Sequence, residues 1–342
     1  MRAIHYPLIF VYRTSIRMVS TIVGKSGRKY IQGELLQHHP KDHMLSVFRA
    51  ESANESFVLK RVSRPFYNLS LRLAAEVRGS RRLRLHIDCN EEETILVYPY
   101  FRSTLLALIQ ENSNLPLSER KKILRRAGEA IQELHSKDWI HIGIVSMFYV
   151  KPDNVLVNWT CERDGKKTVS DVALGDFDIT FKSEGRKPRE TPYAIGNVMW
   201  RSPEGQTGTG VTKASDIFSF GLVCVYALGG GELLLLDDHQ ELAKSGISPE
   251  QEILIRHFCY FGPGHDGLLQ QVSSEVWRNA LRGAMEIAWD AVKEHPEQKF
   301  EWWGKELGPA AQNMISGMTN LDPTARTTID QVLKHSWWQE AT

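Results

Sequence analysis

The N-terminal third of the chain alternates apolar and polar side chains over short stretches. Residues 46–50 and 56–60 are two such stretches, separated by a polar turn at residues 51–55, and residues 94–101 form a longer apolar run. Alternation with a period of two over a few residues is typical of β-strands. The pattern therefore predicts a small β-rich region that contains a hairpin and one buried strand.

Longer stretches with a helical period follow. Residues 69–85 are rich in Arg, Leu and Ala and predict a helix that contains Glu76. Residues 117–135 carry apolar side chains on one face at three- and four-residue spacing, with Ser118 as the predicted N-cap. Residues 329–338 predict a last amphipathic helix. Periodicity alone thus indicates only a mixed chain, with strands first and mostly helices afterwards.

Composition and charge limit the classes of function. The chain has 342 residues, enough for one large domain or two lobes, and a net charge of +1, which argues against a nucleic-acid-binding protein. No apolar run approaches the roughly 20 residues of a membrane-spanning helix. The four cysteines lack metal-binding spacing and indicate free thiols in a reducing compartment. We therefore expect a cytoplasmic or nuclear protein.

The N-terminal stretch of residues 1–33 contains basic residues but no acidic ones. This composition has two interpretations, a mitochondrial presequence or an unstructured leader. We interpret residues 1–29 as a disordered extension that precedes the folded region.

Two clusters of basic residues stand out against the balanced overall charge. The first comprises Arg78, Arg81, Arg82 and Arg84, and the second comprises Lys121, Lys122, Arg125 and Arg126. The second cluster lies within the predicted helix 117–135, and we interpret it as a solvated helix face.

Short motifs that carry chemistry follow one another along the chain. They are Phe57-Val58-Leu59-Lys60, then His141 followed by Lys151-Pro152-Asp153-Asn154, then Gly175-Asp176-Phe177, Ser202-Pro203-Glu204, Asp216-Ile217-Phe218-Ser219-Phe220-Gly221 and Arg326. In this order they resemble the motifs of the eukaryotic-type protein kinase domain, in its serine/threonine form, over about residues 30–340. Each motif alone is weak, and the joint match carries the resemblance.

The resemblance implies an α+β, bilobal protein kinase-like fold. A small β-rich N-lobe would occupy residues 30–100 and a larger helical C-lobe residues 101–342. The implied cofactors are ATP and Mg²⁺, and the implied partner is a protein that is either phosphorylated or bound. The resemblance also implies structural roles for His141, which would contact Phe177, and for Asp216, which would hydrogen-bond the backbone near His141. Glu204 and Arg326 would form a buried ion pair.

The same resemblance assigns candidate site residues. Asn154 and Asp176 would hold the metal ion, and Lys151 would neutralise charge on the transferred phosphoryl group. Lys60 would grip the α- and β-phosphates and pair with Glu76. The residues that would contact the nucleotide are Val47, Val58, Lys60, Glu76, Pro99, Phe101 and Leu156.

Two parts of the expected chemistry are missing from the sequence. The catalytic aspartate slot holds Gly143 when counted forward from His141, or Tyr149 when counted back from Lys151, and neither is a carboxylate. The three glycines of the phosphate loop would fall at Pro40, Asp42 and Leu45. Proline has no N–H to offer phosphate, and an aspartate repels it.

These departures leave two functions open. The chain is either an ATP-dependent serine/threonine kinase with a degenerate phosphate loop, or a pseudokinase that acts as a binding or scaffolding module. The apolar stretch 142–149 adds six residues to the family spacing. It has three interpretations: an insertion in a pseudokinase, a displaced loop in which another carboxylate serves, or an error in the reading frame.

Overall fold

The computed structural model describes residues 20–39, 42, 45–141, 154–161, 167–183, 188–190, 194, 197–230 and 246–340. The chain divides into two compact units. The first, here the N-unit, comprises residues up to 67 together with 86–100, and the second, the C-unit, comprises residues 68–85 and all residues from 101 onwards. Residues 68–85 thus belong to the C-unit, although the sequence placed them in the N-lobe.

Within the described residues the N-unit forms one six-stranded antiparallel sheet with the order β1-β2-β3-β4-β6-β5. Its strands are β1 Thr21–Val23, β2 Lys29–Gln37, β3 Val47–Ser52, β4 Glu55–Arg61, β5 Asp88–Asn90 and β6 Ile95–Pro99. Strand β1 lies ahead of residue 30, where the sequence placed the start of this lobe.

The predicted hairpin is formed by β3 and β4, with a tighter turn than expected. Only Ala53 and Asn54 lie outside the strands, and both have positive φ, 49° and 63°. Two central residues with positive φ define the turn whose twist matches that of paired strands. Ser52 therefore pairs directly with Glu55, and the strands extend into the predicted polar turn 51–55.

The N-unit sheet contributes buried apolar side chains from both of its faces. Successive side chains along a strand point to opposite faces, so an apolar run such as residues 95–98 contributes to two clusters. One cluster contains Ile22, Tyr30, Ala50, Phe57, Leu59, Ile95 and Val97. The other contains Val58, Val62, Tyr67, Cys89, Leu96 and Tyr98. The buried strand predicted at residues 94–101 is confirmed.

Helix α1 spans Arg64–Glu76 and corrects the helix predicted at residues 69–85. Pro65 stands in its first turn, where a missing N–H is tolerated. Past its end, Gly79 has a φ of 86°, which stops helical propagation. Glu76 is therefore the last residue of the helix instead of an internal one.

The C-unit is mainly helical. Its α-helices are α2 Leu105–Glu111, α3 Leu117–Ser136, α4 Pro203–Thr207, α5 Lys213–Val225, α6 Pro249–Phe261, α7 Asp266–Gln271, α8 Glu275–Glu294, α9 Phe300–Trp303, α10 Pro309–Met318 and α11 Ile329–Leu333. Its strands are β7 Ser103–Thr104, β8 Trp139–Ile140, β9 Val155–Cys161, β10 Lys167–Leu174 and β11 Phe181–Lys182, which form the sheets β10-β9-β7 and β11-β8. No helix among the described residues is long and apolar enough to cross a membrane.

Helix α5 lies in the core of the C-unit. Every residue from Ser215 to Val225 is buried, which is the behaviour of a helix that is apolar on all sides. Thr212 caps its N-terminus in a reciprocal capping box with Ser215. The helix therefore serves as the element against which the rest of this unit packs.

Two predicted helix ends are corrected. Helix α3 begins at Leu117 with Pro116 as its N-cap, so Ser118 is inside the first turn and does not cap it. The helix predicted at residues 329–338 ends early because His335 takes an extended backbone conformation. Its Nδ1 accepts a hydrogen bond from the N–H of Trp337, which starts a separate 3₁₀ turn.

The interpretation of the second basic cluster as a solvated helix face is wrong for Lys121, whereas the Arg125 side chain is 44% exposed. Lys121 on α3 is only 7% exposed, and its Nζ donates to the carbonyl oxygens of Trp337 at 2.8 Å and Glu340 at 3.0 Å. The neighbouring Lys122 donates to the carbonyl of Val169 on β10. These lysines bind backbone carbonyls, so they tie α3 to the C-terminal segment and to the β9–β10 hairpin.

The predicted ion pair between Glu204 and Arg326 is confirmed. Both side chains are fully buried, and Arg326 Nη1 lies 2.8 Å from Glu204 Oε1. Ser215 on α5 also donates its hydroxyl to Oε1, at 2.8 Å. Burial alone raises the pKa of Glu204, but the Arg326 guanidinium overrides this and holds the pKa below its ordinary value. The stabilisation is therefore present at neutral pH and is lost as the pH falls through the folded-state pKa.

We predict that Glu204→Ala lowers the free energy of unfolding by about 3–5 kcal/mol, because it leaves the Arg326 guanidinium buried without its carboxylate. The measurement is equilibrium urea unfolding at neutral pH. The control is Glu55→Ala, which removes the exposed partner of Arg28 and should cost less than about 1 kcal/mol. Equal losses in the two variants would contradict the prediction.

Candidate functional site

Two candidate metal ligands that are distant in sequence emerge side by side in the C-unit. Strands β9 and β10 pair antiparallel, with Val155 opposite Leu174. Asn154 directly precedes β9 and Asp176 follows β10, so both lie at the same end of the hairpin. The N–H of Gly175 donates to the carbonyl of Asn154 at 2.8 Å and closes this end.

The backbone at this position is unusual. Asp176 has a φ of 60°, in the left-handed region that costs a non-glycine residue roughly 1 kcal/mol. Such strained residues cluster at functional sites, where the surroundings hold them in place. Asn154 is nearly buried, at 4% exposure. The hairpin end therefore carries an amide side chain and a carboxylate side chain close together in the chain fold.

The donor set suits Mg²⁺ better than a transition metal. Both side chains offer hard oxygen ligands, and among the described residues no group of three or more His, Cys, Asp or Glu side chains converges as a metal site. Mg²⁺ typically takes only one or two protein oxygens and completes its shell with water and substrate phosphates. Asn154 and Asp176 would supply two such protein oxygens.

A buried network holds the hairpin end in position. The N–H of His141 donates to Asp216 Oδ2 at 2.8 Å, and His141 Nε2 lies 3.0 Å from the carbonyl oxygen of Gly175. Phe177 packs edge-on against the His141 ring at 5.3 Å. His135 at the end of α3 also reaches Asp216 Oδ2, at 2.9 Å. The structural roles predicted for His141 and Asp216 are therefore confirmed.

Burial excludes His141 from direct contact with a substrate. Its side chain is fully buried, and burial lowers the pKa of His141 although Asp216 opposes the shift. The imidazole is therefore neutral near pH 7, and its Nε2–H can donate to the Gly175 carbonyl. A side chain with no exposed surface positions the loop and does not contact a substrate.

Glu76 has a partner that sequence reasoning missed. Its Oε2 accepts hydrogen bonds from Lys182 Nζ at 2.6 Å and from Trp139 Nε1 at 2.9 Å. The Lys182 hydrogen bond is the main reason that the pKa of Glu76 lies below its ordinary value. Lys182 stands 106 residues further along the chain, and no local pattern links it to Glu76.

Lys60 lies in the other unit, on β4, with its Nζ 5.5 Å from the centre of the Phe66 ring. The pairing of Lys60 with Glu76 stays a prediction. The sheet register places Val47 opposite Lys60 and Val58 opposite Tyr98. Because Val58 and Lys60 are two residues apart, they share a face of the N-unit sheet.

The remaining nucleotide candidates divide between the units. Pro99 ends β6 opposite Phe57 in the N-unit. Leu156 lies on β9 of the C-unit, opposite Thr104, and Phe101 precedes that strand pair. Their contacts with a nucleotide stay predictions.

The segment that corresponds to the phosphate loop uses its N–H groups internally. The N–H of Asp42 donates to His39 Nδ1 at 3.0 Å, and the N–H of Leu45 donates to the carbonyl of Asp42 at 3.0 Å. The N–H of His39 donates to Ser46 Oγ at 3.1 Å. Phosphate loops bind their ligand with N–H groups that point outward, so this segment offers fewer donors than a glycine-rich loop.

Several predicted positions lie outside the described residues. They are Lys151, Pro40, and the stretch 142–149 with the aspartate slot at Gly143 or Tyr149. The role of Lys151 therefore stays a prediction.

Comparison with known proteins places this geometry in context. The family model described as the protein kinase domain matches residues 83–338. Similar proteins include cyclin-dependent kinase E-1 of Arabidopsis thaliana, 25% identical over 75% of this chain and 52% of that protein. Mitogen-activated protein kinase MKC1 of Candida albicans is 25% identical over 62% of this chain and 40% of that protein.

A third relative is probable serine/threonine-protein kinase pXi of Dictyostelium discoideum, 23% identical over 61% of this chain and 20% of that protein. The chain therefore spans between a fifth and about half of the length of these relatives.

We predict that Lys182→Met raises the pKa of Glu76 towards its ordinary value, because it removes the hydrogen bond that contributes most to the lowering. The pKa is read from the side-chain carboxyl ¹³C shift during a pH titration. Lys213→Met is the matched control, since Lys213 has the same relation to Asp138. It should raise the pKa of Asp138 and leave that of Glu76 unchanged; the opposite result would show that the assignment of partners is wrong.

Proposed function

This chain belongs to the protein kinase domain family, and on that premise we propose that it transfers the γ-phosphoryl group of ATP to serine or threonine hydroxyls of proteins. The observation that carries the proposal is the meeting of Asn154 and Asp176 at one end of the β9–β10 hairpin. The buried network of His141 and Asp216 holds the backbone at that end in place.

In this function each residue has a limited task. ATP would supply the phosphoryl group, and Mg²⁺ would supply positive charge that neutralises the phosphate oxygens. Asn154 and Asp176 hold the ion, His141 and Asp216 fix the loop that carries them, and Lys60 grips the phosphates. None of these residues removes a proton from the substrate.

The missing aspartate lowers the expected rate without excluding the reaction. Phosphoryl transfer passes through a loose transition state, and most of its catalysis comes from positioning and charge stabilisation. A positioned general base typically contributes about 10²–10⁴ in rate. A chain with Gly143 or Tyr149 in the aspartate slot should therefore act slowly. Transcript sequence across residues 141–151 distinguishes a genuine insertion from an error in the reading frame.

A second candidate function is that of a pseudokinase, a binding or scaffolding module. The specific observation that favours it is the internal use of N–H groups by His39, Asp42 and Leu45, which weakens phosphate binding. In this function partner binding needs neither nucleotide nor metal. It should survive both Lys60→Ala and Asp176→Ala in folded protein.

We predict that Mg²⁺ and ATP together raise the melting temperature of the chain. A ligand at 100 times its dissociation constant adds about 2.7 kcal/mol of stability. Asp176→Asn should remove the Mg²⁺-dependent part, whereas the same change at the exposed neighbour Asp178 should keep it. Absence of any shift in the unaltered chain at millimolar ligand would contradict ATP binding.

We also predict slow incorporation of ³²P from γ-labelled ATP into serine- and threonine-containing peptides. The rate should fall about 10²–10⁴ below the roughly 1–100 s⁻¹ of ordinary kinases, since the base is missing. Asp176→Ala should abolish it and Asp178→Ala should not. A folded chain that binds ATP but never incorporates phosphate is a pseudokinase, and the transfer proposal then fails.

A further inference from the structure

The first basic cluster borders a cleft that plays no part in the candidate site. The cleft has a volume of about 1180 Å³ and lies entirely in the C-unit. Its walls are the end of α1 with the following segment 77–82, one face of α3, and the β-bulge at Ser170 and Asp171 on β10. Arg126 of the second basic cluster also lines it, so the two clusters meet here. Neither Asn154 nor Asp176 is among its lining residues.

The walls of the cleft are held by specific contacts. Gly79, with a φ of 86°, turns the chain after α1 and leads it across to β10. There the N–H of Leu174 donates to the carbonyl of Arg82 at 2.8 Å. The opposite wall carries a β-bulge at Ser170, whose carbonyl accepts from Arg126 Nη1 at 3.1 Å. The cleft is thus built between a helix and a strand.

Several charges in the cleft are already paired. Arg82 Nε lies 2.8 Å from Glu129 Oε2, and Arg125 reaches the same carboxylate at 3.5 Å. Glu76 is paired with Lys182 at 2.6 Å. These pairs cancel locally and contribute little attraction for a ligand.

The charges that remain are mostly positive. Among the described residues, four cations that line the cleft have no carboxylate within ion-pair distance: Arg78, Arg81, Arg126 and Lys137. Only two lining carboxylates remain outside ion pairs, Glu133 and Asp171, and Glu133 already accepts from the hydroxyl of Ser80. Arg78, Arg81 and Lys137 are exposed at the rim. The lining side chains outside ion pairs therefore carry a surplus of two positive charges.

We propose that this cleft docks an acidic segment of a protein partner, with Asp or Glu side chains paired to Arg78, Arg81 and Lys137. The guanidinium fork matches a carboxylate with two parallel hydrogen bonds. The cleft is lined mainly by charged and polar residues, which disfavours an apolar ligand, and it exceeds the roughly 300–1,000 Å³ of small-molecule sites. A stretch of polypeptide fits both properties.

Carboxylates spaced along a chain suit this lining better than one compact dianion. Helices α1 and α3 both end at the cleft, at Glu76 and Ser136, and the carbonyl ends of helices carry partial negative charge. Glu133 and Asp171 add two carboxylates at the same place. A phosphate that entered would face this negative potential, whereas separate carboxylates reach the exposed rim cations individually. The docking does not depend on phosphoryl transfer.

The test measures binding of fluorescein-labelled poly-glutamate to the full chain by fluorescence anisotropy. Arg78→Ala combined with Arg81→Ala should weaken binding roughly tenfold or more, which corresponds to about 1.4 kcal/mol. Lys29→Ala combined with Lys334→Ala is the control, because it removes the same charge from two other exposed positions. The control should bind as the unaltered chain does, and poly-glutamine should not bind.

A second variant pair and a hydrogen-exchange measurement complete the test. Arg78→Lys combined with Arg81→Lys keeps the charge but loses the two parallel hydrogen bonds of each guanidinium, so its affinity should lie between that of the unaltered chain and that of the alanine pair. This pair covers the case in which the alanine pair fails to fold. Hydrogen exchange should show protection by poly-glutamate within residues 76–82 and 126–137. Equal weakening in the control pair overturns the proposal, because attraction would then be non-specific. A phosphoserine peptide or a single-stranded nucleic acid that binds tenfold tighter than poly-glutamate also overturns it.

Discussion

The candidate site depends on one buried carboxylate. Asp216 has no exposed surface, and its Oδ2 meets both the backbone N–H of His141 and the ring of His135. A buried carboxylate is tolerated only where donors replace its lost hydration. His141 Nε2 in turn contacts the carbonyl oxygen of Gly175. Gly175 lies between the end of strand β10 and Asp176. The backbone that carries the candidate metal ligands is therefore held by a residue with no exposed surface.

Helix α5 provides further hydrogen bonds within the C-unit. Besides Asp216, it provides Ser215, which donates to Glu204, and Ser219, which donates to the carbonyl of Trp200. Arg326 then joins the far end of the chain to the same carboxylate of Glu204. An apolar helix that carries a few polar groups, each satisfied, gives the core a specific arrangement.

Neither of the two departures from family chemistry lies in the sequence of α5. The phosphate-loop segment belongs to the N-unit, where His39, Asp42 and Leu45 use their N–H groups locally. The aspartate slot falls in the stretch 142–149, between the buried His141 and Asn154. The family match covers residues 83–338 and does not include the phosphate-loop segment. Fold and nucleotide chemistry can therefore change independently, which is why family membership alone does not establish transfer activity.

Local pattern in the sequence determined much of this protein. Alternation predicted the β3–β4 hairpin and the strand at residues 94–101, and the order of motifs predicted the fold, the Glu204–Arg326 pair and the roles of His141 and Asp216. These predictions are correct for two reasons. A period is read within a few residues, and the order of the motifs carries the family resemblance. Tertiary structure alone decided that Glu76 pairs with Lys182, that Lys121 is buried, and that the first basic cluster borders a cleft. Those outcomes depend on which distant surfaces pack together, and no local period records that.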